Sequence, residues 1–337
     1  MRERVKELWR LCFNDSDEFT DMYFRLRYSN DINIALLNDG KVIAALQMLP
    51  YPMTFGDKEL KTGYISGACT HPDYRNRGAM RELLAQAFDR MLHNGTAVST
   101  LIPAEPWLFG YYAGVGYAPV FKYAATTFTP SDADTADGTA VLNRTDTYQA
   151  DTYRYLERKL RERPCCVQHT EADFRVILAD LRLSRGGIYT LHQGDKITAL
   201  TIVYPSADGW YAGETVAETP DMRSLLLQRV CRQLHTPSIQ VIAPPTADRD
   251  SLTLGMARII NAPAMLQHYA ARHPELEMSL DLTDPQICAN NGCYHLSGGQ
   301  CTNSAKHLPG SHLALTIGEL TEKILSPSAP YMSLMLN

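Results

Sequence analysis

Ser66-Gly67-Ala68-Cys69-Thr70-His71-Pro72-Asp73-Tyr74-Arg75-Asn76-Arg77-Gly78-Ala79-Met80-Arg81 is the most informative run in the chain. It reads as a strand ending near Thr70, a basic loop with one glycine, and a helix beginning at about Ala79. The helix follows from apolar residues at Met80, Leu83, Leu84, Ala87, Phe88 and Met91, the i, i+3, i+4 stripe of a helix packed on a sheet, ending near His93. First-turn N–H groups of a helix have no intrahelical partner, and the helix dipole favours negative charge there. Gly78 lets the backbone close around a phosphate while Arg75, Arg77 and Arg81 add charge, so the run is expected to cradle an anion. A solvated basic turn is the plainer alternative. Neither Gly-x-Gly-x-x-Gly nor Gly-Lys-Ser/Thr occurs, which sets aside the usual dinucleotide and mononucleotide loops.

Outward from this run, helices and strands alternate. A helix is expected over Arg2–Phe13, and Ser16 or Asp17 caps a second one running to Arg27. Ile34–Leu37, the turn Asn38-Asp39-Gly40 and Val42–Met48 read as strand, turn and strand. Strands over Leu60–Thr70 and Thr96–Ile102 flank the helix and complete a β–α–β unit. Thr129–Gly138 is polar, acidic and poor in apolar residues, and reads as a linker. Beyond it the pattern recurs: Leu37–Leu46 aligns without gaps against Leu191–Leu200, and each is followed by a strand and an amphipathic helix, the second over Met222–Leu234. The last stretch reads as a small α+β module: a helix over Met256–Tyr269 interrupted near Pro263, a half-buried strand over Leu276–Leu282, and a helix near Ile317–Ile324. Boundaries are expected near Ala125–Val141 and Ala247–Gly255.

The 337 residues are 45% hydrophobic and 20% charged with a net charge of −5, the balance of a globular protein without the basic stripe a nucleic-acid binder needs. Met1–Arg10 mixes both signs of charge among spaced apolar residues, unlike a signal peptide, and no apolar run reaches membrane-span length. No nucleic-acid or membrane partner is expected, and the location expected is cytoplasmic, with reduced thiols. Cys288, Cys293, His295 and Cys301 cluster without the two tight knuckles of a structural zinc site, so no metal is expected. The acidic run Asp15, Asp17, Glu18 and Asp21 reads either as the lining of a cationic pocket or as an exposed helix face.

In the opening run the chain resembles the GNAT acetyltransferase superfamily. Its signature Arg/Gln-x-x-Gly-x-Gly/Ala is similar to Arg75-Asn76-Arg77-Gly78-Ala79-Met80, with Met80 where a small residue is usual. That departure occurs in the enhanced-intracellular-survival type. The resemblance therefore implies an α/β (α+β) fold of tandem GNAT-like domains: a catalytic one over 1–128, a degenerate one over 139–250, and a sterol-carrier-protein-like domain over 255–337. It implies acetyl-CoA as cosubstrate, held by Ala68, Cys69, Thr70, Arg75, Asn76, Arg77, Gly78, Ala79, Met80 and Arg81, with no metal.

Tyr111-Tyr112-Ala113-Gly114-Val115-Gly116-Tyr117 resembles the family's Tyr-x-x-x-Gly-Tyr segment, which makes Tyr112 the general acid. The apolar tail Ser328–Asn337 is expected to dock, and the resemblance makes the α-carboxylate of Asn337 the general base, with His71 or a water chain next in line. The reaction implied is direct attack of a small-molecule or protein amine on the thioester, in a homo-oligomer that the resemblance makes a hexamer. Cys69 as an acylated nucleophile lacks an evident base. Glu214–Arg223, the expected counterpart of the cradle, has no glycine, and Glu214, Glu218 and Asp221 would repel a pyrophosphate, so one cofactor site is expected. The rival readings are a tandem transferase using another acyl donor and a non-catalytic carrier of lipid or acyl-CoA.

Overall fold

The computed structural model describes residues 1–131, 140–246, 250–304 and 310–336. The chain opens with α1 (Arg2–Cys12), α2 (Asp17–Leu26), β1 (Asn33–Asn38), β2 (Lys41–Phe55) and β3 (Lys58–Thr70). Then come α3 (Ala79–His93), β4 (Val98–Leu101), α4 (Leu108–Ala113) and β5 (Ala118–Phe128). The middle holds β6 (Ala140–Thr145), α5 (Ala150–Arg161), α6 (Glu171–Ser184), β7 (Gly187–Gln193), β8 (Lys196–Ser206), β9 (Gly209–Ala217), α7 (Pro220–Gln233) and β10 (Ile239–Ala243). The last part is β11 (Leu252–Ile259), α8 (Ala262–Arg272), β12 (Met278–Thr283), β13 (Gly292–Ser297), β14 (Gln300–Ser304), β15 (Leu313–Thr316) and α9 (Ile317–Leu325). Two compact units result, one made of 1–121 with 254–330 and one of 122–253 with 331–336. Residues 132–138 of the expected linker lie outside the described residues.

In the first unit the strands run β1-β2-β3-β4-β11. β1, β2 and β3 are antiparallel, β4 lies parallel to β3, and β11 is antiparallel to β4. Parallel neighbours need a crossover. α3 supplies it and buries Leu83, Leu84, Ala87, Phe88 and Met91. These pack with Ile34, Leu46, Ile65, Tyr112, Met256 and Ile260 into one core. α1 buries Val5, Leu8 and Trp9, and the Ser16 hydroxyl starts α2 by accepting from the Phe19 N–H.

Residues 254–330 belong to this same unit while forming their own four-stranded sheet, β14-β13-β12-β15. Here the expected helix over Met256–Tyr269 is corrected. Met256–Ile259 is strand, paired with Leu101–Val98, and the helix starts at Ala262 with the Asn261 side chain as its cap. Pro263 sits in the first turn, where its missing N–H costs nothing, so it begins the helix rather than interrupting it.

The second unit repeats the element order of the first: two helices, three antiparallel strands β7-β8-β9, a helix, and a strand β10 parallel to β9. β6 flanks β7, and β10 pairs with residues 124–128 of β5. The alignment itself is corrected by one residue. Both first hairpins carry a bulge, with Leu36 opposite Ala44 in one and Leu191 opposite Ala199 in the other, so Leu36 rather than Leu37 matches Leu191. The glycines mislead because they hold different turn positions. Asp39-Gly40 places both residues at positive φ (47° and 77°), whereas Gly194 (57°) comes first in its turn.

Candidate active site

β3 and β4 pair only at Thr62–Val98, Gly63–Ser99 and Tyr64–Thr100, although β3 runs on to Thr70. Beyond Tyr64 the two strands part, leaving Ile65–Thr70 without a strand on that side. At the same place β3 bulges against β2, because Ala45 faces Cys69 while Gln47 faces Ser66. Gly67 makes the bulge possible: its φ is +58°, and a Cβ there would meet the Trp9 ring at 2.1 Å. The opened strand end then leads into the basic loop.

The loop is held from below. The His71 N–H donates to the Ile43 carbonyl, the Arg75 Nε–H donates to the Thr70 carbonyl at 3.2 Å, and Arg77 lies over the Tyr74 ring. Asn76 (φ 60°) and Gly78 (φ 83°) are both left-handed, which turns the chain onto α3. Gly78 occupies the N-cap and supplies no side-chain cap. The first-turn N–H groups of Ala79, Met80 and Arg81 therefore open toward the loop, and Arg75, Asn76, Arg77 and Gly78 are all solvent-exposed. Of the expected cradle residues Cys69 is buried, Ala68, Thr70, Ala79 and Met80 are half-buried, and Arg75–Gly78 and Arg81 are exposed.

Tyr112, in α4, packs in the same core as Ile65 of β3. It is 7% exposed within the core that includes Leu84 and Phe88, and its ring stands edge-on to Tyr111 and Tyr117, at 5.4 Å and 5.7 Å between centroids. Burial pushes its phenol up to about 12, with Tyr111 adding to the shift. Among the described residues its hydroxyl has no hydrogen-bond partner. Burial also raises Tyr111, an effect that the nearby charge of Arg81 opposes, which ties α4 to the start of α3.

A thiol pair under the loop went unseen in the sequence. The Cys12 thiol donates to the Thr70 carbonyl at 3.5 Å, which brings it beside the neighbouring Cys69. Interaction with Cys69 lowers Cys12 to about 7 with help from Arg75, while the same interaction and burial raise Cys69. Nothing local marks this pair, because it joins the end of α1 to the end of β3.

Residues 2–120 match the family model described as "Acetyltransferase (GNAT) domain". This segment is a GNAT acetyltransferase domain. Such a domain implies acyl transfer from an acyl-CoA. No curated protein matches the chain. Among solved structures, the GCN5-related N-acetyltransferase from Anabaena variabilis has a TM-score of 0.77 at 15% identity, covering 98% of this chain and 96% of its own. The one from Kribbella flavida has a TM-score of 0.76 at 18% identity, covering 99% and 95%. Eis1 from Mycobacterium abscessus has a TM-score of 0.71 at 13% identity, covering 96% and 87%. At these identities the likeness is one of fold, and it spans the whole chain.

Among the described residues the second unit differs at the corresponding place. Ala44 faces Thr70 and Ala199 faces Ala217, so Thr70 and Ala217 correspond, yet only Glu218 and Thr219 separate Ala217 from α7. Glu214–Ala217 is the end of β9, as Ala68–Thr70 is the end of β3, and the counterpart of the loop shrinks to Glu218 and Thr219. Glu214 is fully buried and bound by Arg163 through two 2.8 Å hydrogen bonds, so it faces no phosphate.

The apolar tail is docked in this second unit. Tyr331 exchanges backbone hydrogen bonds with Cys165 and Val167, the Ser333 hydroxyl donates to Glu214 at 2.7 Å, and His169 Nε2 contacts the Ser333 carbonyl at 2.9 Å. Asn337 lies outside the described residues. The acidic run is used internally: Asp15 accepts from the Trp9 indole, and Asp17 and Asp21 pair with Arg10 and Lys6. All eight cysteines are free, and the His295 Nδ1 partners the Ser279 hydroxyl. Among the described residues no group of three or more His, Cys, Asp or Glu is placed to hold a metal ion, and no helix is long and apolar enough to cross a membrane.

Proposed function

We propose that the protein is an acetyl-CoA-dependent N-acetyltransferase that moves the acetyl group to a primary amine of an aminoglycoside-like compound, a polyamine or a protein lysine. The observation that carries this reading is the uncapped N-terminus of α3 behind left-handed Gly78, next to the end of β3 where it parts from β4. The N–H groups of Ala79–Arg81 and the charges of Arg75, Arg77 and Arg81 take the pyrophosphate. Backbone N–H groups near Cys69 and Thr70 stabilise the oxyanion that forms as the neutral amine adds to the thioester carbonyl. Tyr112, kept protonated by burial, gives its proton to the departing CoA sulfur. On the family resemblance the base is the α-carboxylate of Asn337, and the assembly is a homo-hexamer. The sheet β14-β13-β12-β15 with α8 and α9 supports reading the C-terminal stretch as sterol-carrier-protein-like.

The test is a screen of amines with acetyl-CoA that follows thiol release, repeated with longer acyl-CoAs and paired with thermal shifts. Acetyl-CoA is expected to raise the melting temperature and lipid vesicles to leave it unchanged. Stabilisation by vesicles alone, with no thiol released, would replace the transferase reading with the carrier one.

A further inference from the structure

Among the described residues Arg258 is the largest fully buried side chain. It lies in β11 opposite Ser99 of β4, far along the chain from the GNAT domain's motifs. A guanidinium away from water needs hydrogen-bond partners and a counter-charge. Arg258 has an acceptor on each of its three nitrogens and a carboxylate beside it. Nη2 donates to Asp284 Oδ1 at 2.6 Å, Nη1 to the Ile259 carbonyl at 2.9 Å, and Nε to the Val115 carbonyl at 3.0 Å. Asp284 is fixed in turn by Asn290 Nδ2 and by the N–H groups of Gln286 and Ile287.

The Val115 carbonyl belongs to the turn that closes α4. In that turn the N–H groups of Val115 and Tyr117 both donate to the carbonyl of Tyr112. Gly116 sits at φ +90° directly on Arg258 and Ile317, leaving no room for a side chain. A ring chain runs alongside: Arg258 lies 4.3 Å over Phe88, Phe88 meets Tyr117 at 5.9 Å, and Tyr117 meets Tyr112 at 5.7 Å. The far end of Tyr117 is pinned by Ser99 at 2.7 Å. Backbone and ring of Tyr112 are therefore both referenced to one buried guanidinium from outside the motif segment.

We infer that Arg258, locked by Asp284, is the positioning residue for Tyr112, so that residues 254–330 complete the catalytic apparatus of the GNAT domain. The inference rests on the reading of Tyr112 as the general acid. Displacing a reacting group by about 1 Å can cost on the order of 10²-fold in rate.

The experiment is a double-mutant cycle between R258K and Y112F, reading kcat, KM for acetyl-CoA and melting temperature. Lysine keeps a charge for Asp284 but lacks the fork that reaches Val115 at the same time. R258K is expected to lower kcat about 10- to 100-fold with KM for acetyl-CoA within about twofold. In the Y112F background it is expected to lower kcat by less than about threefold, because the group it positions is already gone. D284N, which keeps the shape of the network, serves if R258K does not fold, and the same non-additivity is expected of it. Losses that multiply in full, or an unchanged kcat in folded R258K or D284N, would overturn the positioning role. A normal kcat for Y112F alone would instead remove the acid assignment beneath it.

Discussion

The N-termini of α3 and α7 start from the same place in two copies of one strand pattern and end with opposite properties. Eight residues, His71 to Gly78, separate β3 from α3, and the helix begins behind a left-handed glycine with no side-chain cap. Two residues separate β9 from α7, and the hydroxyl of Thr219 accepts from the Met222 N–H. A helix dipole exists at both ends, so the dipole alone does not make an anion site. What differs is whether the chain has spent its own oxygen on the orphan N–H groups, and whether a loop stands in front to wrap a phosphate. The strands tell the same story. After β4 the chain builds α4 and Tyr112, whereas among the described residues no helix separates β10 from β11.

The largest effect expected from this contrast belongs to Tyr112, the proposed acid. Tyr112→Phe should lower kcat by about 10²–10⁴ while leaving acetyl-CoA affinity and melting temperature near wild type, since only a hydroxyl without a partner among the described residues is removed. The pH dependence has a definite sign. A general acid works protonated, and burial pushes Tyr112 up to about 12, so its deprotonation should not depress kcat until near that value, well beyond the ordinary phenol range near 10. An alkaline fall centred near pH 9 that vanishes in the phenylalanine variant would show that Tyr112 titrates as an ordinary phenol.

The next effect comes from giving α3 what α7 already has. Gly78→Asp puts an accepting, negatively charged side chain at the N-cap, where it competes for the first-turn N–H groups and repels phosphate. A hydrogen bond to a charged group is worth about 1.5–3 kcal/mol, so the dissociation constant for acetyl-CoA should rise about 10- to 100-fold by calorimetry. An unchanged constant would place the pyrophosphate elsewhere.

The contrast was partly legible in the sequence. The basic loop, Gly78 and the α3 stripe are local signals, and the structure places them as read. Thr219-Pro220 was equally local: threonine before proline marks an N-cap followed by the first helical residue, and it dates the start of α7 two residues before Met222. β11 was misread because Met256-Ala257-Arg258-Ile259-Ile260 is an apolar run too short for its period to distinguish strand from helix. Arg258 within that run was itself a signal, since a charge among core residues is buried only with a partner. Its partner Asp284, and the pairing of Cys12 with Cys69, depend on tertiary approach and leave no spacing to read. The C-terminal stretch likewise declares its own sheet but not its membership in the first compact unit.

A smaller effect sharpens the comparison at the end of β3. The ladder places Val216 where the first unit has Cys69, so the second unit has no thiol there. Cys12, lowered to about 7 by Cys69 and by Arg75, should react with iodoacetamide at a rate that rises with pH and is half-maximal near 7, against about 8.5 for an ordinary thiol. Cys69→Ala should move that midpoint upward more than Arg75→Gln does. Mass spectrometry of the alkylated peptide over pH 5–10 would read it, and an ordinary midpoint would mean the two thiols do not interact.

The smallest effect is expected where the second unit has only structure to lose. Thr219→Ala frees the Met222 N–H at the start of α7, and losing an N-cap typically costs about 1 kcal/mol of stability. If the missing loop is what distinguishes the two units, uncapping α7 should destabilise the protein by that amount in a denaturant titration and leave calorimetry at one acetyl-CoA per chain with an unchanged constant. Gly78→Asp would then have no mirror image: capping α3 removes a site, while uncapping α7 creates none. A second binding event appearing in Thr219→Ala would mean that the cap alone had been blocking a latent site, and that the eight-residue loop is a refinement of the anion site rather than its source.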